Sequence, residues 1–190
     1  MIKQFSLTAL IVATAYAVSF LVVAALFMPL QEQVLGNALY GSLIFLPHGV
    51  RVIAIALYRL PGVIGVIIGS VKVTIAVAVL NGDEIYLTTA LLLALSNALV
   101  PWITIKIIGA GGVDISSELL KKSAWRFLLL VGLVSSVGTS LLTIVIPNWL
   151  AQSELITPSF QQLAFISLGD TLGVLALFGF LLFWRKTASP

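Results

Sequence analysis

The chain has 190 residues, of which 60% are hydrophobic and only 9% charged, with a net charge of +3. Soluble domains carry about a quarter charged residues, and a soluble core of this size cannot hide so much apolar surface, so the remainder must face lipid. The absence of cysteine excludes a disulfide framework, thiol catalysis and palmitoylation, and one histidine leaves no His cluster for zinc.

A transmembrane helix needs about 20 mostly apolar residues. The pattern predicts an all-α, polytopic transmembrane helix bundle of about six spans, a single integral membrane domain over 1–190. The first span covers 5–30 behind the basic Lys3. Its apolar run exceeds the roughly 7–15 residues of a signal-peptide core, so it reads as a retained helix. The second span, 35–59, is broken in its middle by Pro47-His48-Gly49. The third covers 61–80 and ends at the turn Asn81-Gly82-Asp83-Glu84. The fourth, 85–108, contains Pro101 and is closed by Gly109-Ala110-Gly111-Gly112. Residues 113–122 read as a short amphipathic or loop segment. The fifth span, 123–146, stops at Pro147-Asn148-Trp149, and the sixth covers 160–184. The tail after Trp184 is too short to be a domain.

Short cytoplasmic loops retain Lys and Arg. Lys3, Arg59, Lys106, Lys121, Lys122, Arg126, Arg185 and Lys186 all fall on the side of the termini. The other side holds Glu32, Asp83, Glu84 and Glu154 and no basic residue. The asymmetry predicts six spans with both termini cytoplasmic. Lys121, Lys122 and Arg126 form a cluster that either contacts a partner or anionic lipid or simply fixes topology, the latter being the commoner role.

The charges left inside the membrane are Arg51, Lys72 and Asp170. Each costs roughly 2.5–3.5 kcal/mol at a span centre on insertion scales, so such groups face the bundle interior and pair. At a rise of about 1.5 Å per residue, His48, Arg51, Lys72, Asn97 and Asp170 fall in one depth band. They read as a structural network, with Lys72 or Arg51 paired to Asp170 and Asn97 as an interhelical lock, or as a polar cavity for a ligand. Two cations against one acid leave a positive charge. It would be met by a small anionic ligand, a lipid head group, a partner's acid or a neutral lysine, or one side chain would snorkel outward, Arg51 before Lys72. His48 sits at a Pro/Gly break, where freed carbonyls can line a cavity. One imidazole and one carboxylate rarely make a metal site, so no metal or cofactor is expected. The patterns Gly65-x-x-x-Gly69 and Gly169-x-x-x-Gly173 allow close helix approach, which would help bring Lys72 to Asp170. Gly132, Ser135, Ser136, Gly138, Thr139 and Ser140 make the fifth span small-faced.

Leu46-Pro47-His48-Gly49-Val50-Arg51, then Leu60-Pro61-Gly62-Val63-Ile64-Gly65, with Ser96-Asn97 and Gly169-Asp170-Thr171-Leu172-Gly173 further on, resembles the first class of bacterial membrane-associated sensor domains. That family precedes histidine kinase and cyclic-di-GMP enzyme domains. The likeness spans roughly 43–184 in the family's order, although family members usually have about eight spans and often a Trp before the proline. The resemblance implies a bacterial inner-membrane sensor-like module. With no kinase or cyclase after Trp184, it would act as an accessory subunit docked on a membrane-protein partner or on a second copy of itself. The competing expectation is a small transporter or channel using a buried Lys72/Asp170 site. Two broken spans related by an internal repeat would favour it, and no counterpart of the Pro47 break is present in the second half. An enzyme is not expected, because no nucleophile–base–orienter set can be assembled. Gly109–Gly112 lacks the flanks of a phosphate loop, and the basic balance reflects topology, not nucleic-acid binding.

Overall fold

A computed structural model describes residues 2–35, 41–82, 87–112, 124–150 and 160–188. Helix α1 (Ile2–Val22) passes through one π-helical turn (Val23–Phe27) into α2 (Met28–Leu35), followed by α3 (Leu46–Tyr58), α4 (Leu60–Asn81), α5 (Leu87–Ala110), α6 (Ala124–Leu150) and α7 (Phe160–Ala188). Five stretches are long and apolar enough to cross a bilayer: Lys3–Leu35, Leu60–Asn81, Leu87–Ala110, Arg126–Pro147 and Phe160–Trp184. The chain is an all-α multi-pass bundle, as the composition demands.

The sixth expected span takes a different form. Residues 41–45 are non-helical, and α3 begins only at Leu46, with Pro47 in its first turn. Proline fits there because a first-turn N–H has no intrahelical partner to lose. At 13 residues α3 is about 20 Å long, too short to span alone. It is nevertheless the centre of the bundle. Residues 47–56 are all buried, and α3 touches α1, α4, α5, α6 and α7. The long helices surround it in the order α1, α4, α5, α6, α7, each packed on the next. The irregular segment 41–45 then lies between the two ends of that arc: Phe45 meets Phe20 of α1 edge-to-face, and its N–H donates to the Gly169 carbonyl of α7 at 3.0 Å.

Glycines set these approaches. A Cβ on Gly62 would lie 2.4 Å from the Ala54 carbonyl oxygen, so α3 and α4 can fold tightly about Arg59, whose φ of 54° is left-handed. Gly65 and Gly69 face α1, against Ala9, Val12, Ala13 and Tyr16. The α4 glycine pair therefore seats α1 and does not bring Lys72 to Asp170. The α7 pair seats the irregular segment instead: a Cβ on either Gly169 or Gly173 would stand 2.1 Å from the carbonyl oxygen of Ser42 or Phe45. Neither internal proline stops its helix. Pro101 sits within α5, and α6 continues through Pro147 to Leu150, past the expected end.

Candidate functional site

At the start of α3 the bundle holds a group of polar side chains in an otherwise apolar interior. His48 is 0% exposed and Arg51 and Asp170 are each 3% exposed. His48 Nδ1 lies 3.3 Å from Asp170 Oδ2, and that oxygen accepts a hydrogen bond from the Thr139 hydroxyl at 3.3 Å. The other ring nitrogen, Nε2, lies 3.1 Å from the Gly132 carbonyl oxygen, with Ser135 Oγ at 3.3 Å. Arg51 Nη1 donates to Asn97 Oδ1, and Asn97 Nδ2 donates in turn to Ser70 Oγ at 3.0 Å. Arg51 Nη2 stands 3.8 Å from Asp170 Oδ1, a Coulombic contact too long for a hydrogen bond. The guanidinium also lies 5.7 Å from the centre of the Phe45 ring, within cation–π range. Among the described residues neither Arg51 Nε nor His48 Nδ1 has a hydrogen-bond partner.

Local sequence explains the convergence. In α3, His48 and Arg51 are three residues apart and share one face. Gly49 lets that face approach α7, since a Cβ there would be 2.8 Å from the Gly173 carbonyl oxygen. Asp170 lies between the two glycines that receive the segment before α3. The two motifs richest in polar residues, Pro47-His48-Gly49-x-Arg51 and Gly169-Asp170-x-x-Gly173, thus form one contact. On α6, Ser135 and Thr139 are one turn apart and present their hydroxyls to His48 and Asp170.

A cavity of about 350 Å³ opens above this group. Arg51, Asp170, Asn97, Ser70 and Thr139 line it on one side, and Tyr16, Phe20, Val23, Leu93 and Ile166 supply an apolar wall. Its lining comes from the half of the bundle that α3 does not occupy. Ser70, Val73 and Thr74 of α4, Thr139, Ser140 and Thr143 of α6, and Gly41 and Ser42 all lie toward the end opposite the termini. Gly41, Ser42 and Phe45, on the non-helical stretch before α3, border the pocket.

Four of the five expected polar residues, His48, Arg51, Asn97 and Asp170, come together. Lys72 does not join them: its side chain is exposed on α4, and the cation facing Asp170 is Arg51. Arg51 does not snorkel either, being buried. Lys121 and Lys122 lie outside the described residues, and Arg126 is exposed at the start of α6. No group of three or more metal-ligating side chains occurs among the described residues. Phe45, Ser70, Ser135 and Thr139 were not anticipated as site residues. The Ser/Thr run on α6 was the available signal, legible only as small-residue packing. Comparison with protein-family models, with curated proteins and with solved structures finds no match. The site's own geometry therefore has to carry the functional reading.

Proposed function

We propose that the chain is a non-catalytic, sensor-like membrane module that binds a small ligand in this pocket and docks as an accessory subunit on a larger bacterial membrane complex, with both termini cytoplasmic. The observation that carries it is the form of the pocket. It is polar at its base, apolar on its wall, and stopped by α3, whose buried residues fill the other half of the bundle. A dead-ended pocket suits binding better than conduction. Chemistry is disfavoured because His48, the chain's one histidine, is fully buried, with Nε2 on the Gly132 carbonyl oxygen.

Docking is supported by Lys72. It lies near the middle of α4 on the outside of the bundle, with no ion pair among the described residues. A lipid-facing ammonium at that depth costs roughly 2.5–3.5 kcal/mol, which an acidic residue of a partner helix would offset. The orientation rests on Lys3, Arg59, Lys106 and Arg126, which share the end of the bundle that holds the termini, opposite Glu32. The resemblance to sensor domains supports the bacterial setting.

Extraction from native membranes in mild detergent, followed by mass spectrometry of co-purifying proteins, tests the docking. A partner at fixed ratio, lost from Lys72→Leu, is the expected result. A chain that emerges alone would overturn it. One observation favours transport as a second reading: α3 begins part-way through the bundle beside the pocket, as the interrupted helices of transporters do. Liposome flux reduced by Asp170→Asn would favour that reading, and equal flux in the two proteins would remove it.

A further inference from the structure

The donors of Arg51 decide what the pocket base can take. The Gly132 carbonyl oxygen can only accept a hydrogen bond, so the 3.1 Å contact puts a proton on Nε2 of His48. His48 Nδ1 lies 3.3 Å from Asp170 Oδ2 without hydrogen-bonding to it. Asp170 stands 3.8 Å from Arg51 Nη2, and among the described residues the one other acid is Glu32, exposed on α2. Arg51 is therefore under-used as a donor, with Nε unpartnered and Nη2 short of Asp170.

We propose that the pocket takes a small organic carboxylate, its charged end on the Arg51 guanidinium and its apolar body against the Tyr16, Phe20 and Ile166 wall. A carboxylate matches the guanidinium fork and accepts from hydroxyl and amide donors such as Asn97 and Thr74 at the same height. A volume of about 350 Å³ is at the lower end for small-molecule sites, which limits the body to about the size of one ring. A phospholipid head group is excluded by depth. Asp170 lies ten residues into α7, about 15 Å from that helix's start. The proposal rests on the pocket being a ligand site and is independent of docking.

Benzoate, benzamide and benzylamine share one ring and differ in charge, so the thermal stability of the full chain in neutral-lipid nanodiscs separates them. Benzoate is expected to raise Tm by about 5 °C at saturation, and the other two by far less. Asn97→Asp keeps the shape and the Ser70 contact but places a carboxylate on Arg51, and is expected to abolish the benzoate shift. Equal shifts from benzoate and benzamide would overturn the choice of an anion while leaving the pocket a ligand site. A benzoate shift surviving in Asn97→Asp would overturn the role of Arg51. No shift from any of the three would overturn the ligand site itself, whatever partner co-purifies.

Discussion

Asp170 Oδ2 and His48 Nδ1 meet at 3.3 Å in the buried centre of the bundle, each on an element that glycine allows to approach the other. Their contact ties the short central helix α3 to the outer helix α7, and Thr139 and Arg51 close around the same carboxyl group. Removing that group leaves Arg51 buried without an acid beside it. Loss of one member of a buried charged pair costs about 3–5 kcal/mol. Asp170→Ala is therefore expected to lower Tm in detergent far more than Glu32→Ala, which removes an exposed acid on α2. Equal Tm values for the two variants would show that the cluster does not hold the fold together.

The same cluster makes a prediction about coupling. Replacing a buried ion pair with apolar residues of similar size is often neutral, whereas breaking it is costly. Arg51→Met and Asp170→Leu should each destabilise, and the double variant should be less destabilised than the sum of the two, by about 1 kcal/mol or more. A double-mutant cycle by thermal or denaturant unfolding reads this directly. Additive losses would mean that the 3.8 Å contact between Arg51 Nη2 and Asp170 Oδ1 carries little energy.

How far the sequence revealed this site depended on what it had to specify. Depth was legible, because apolar spans are nearly regular helices and their rise converts residue number to height. Direction around the helix axis was not. Ser70 and Lys72 stand about 200° apart on α4, so Ser70 faces the pocket while Lys72 points outward, although both lie at the right height. The interior place of His48, Arg51, Asn97 and Asp170 followed from the cost of leaving them in lipid; that rule favours an inward face without enforcing it, and Lys72 is the exception. The break at Pro47-His48-Gly49 was visible as well. That residues 41–45 are irregular and border a cavity depends on Gly169 and Gly173 of a distant helix. Glycine spacing likewise marked close contacts without naming the partner, as Gly65 and Gly69 facing α1 illustrate.

Two glycines of α7 give a clean contrast. A Cβ on Gly173 would lie 2.1 Å from the Phe45 carbonyl oxygen, a backbone atom that cannot turn away, whereas nothing lies within 4 Å of one on Gly179. Gly173→Ala should push the segment before α3 off α7 and lower Tm by several degrees. Gly179→Ala should be neutral or stabilising by about 0.5–1 kcal/mol, the usual gain from alanine in a helix interior. Similar Tm changes in the two variants would refute the seating of residues 42–45 on α7.

The absence of cysteine allows single thiols to map the pocket and its orientation together. Thr143 lines the cavity and is exposed, while Ala56 is buried in α3 toward the other end. In spheroplasts, a membrane-impermeant methanethiosulfonate reagent added from outside should label Thr143→Cys and leave Ala56→Cys untouched. Benzoate should slow the labelling of Thr143→Cys, because the carboxylate would occupy the space the reagent must cross. Labelling of Thr143→Cys only in inverted vesicles would reverse the orientation and place the pocket mouth in the cytoplasm. Equal labelling of both residues from one side would mean that water passes α3, and would shift the balance from a binding module to a conducting one.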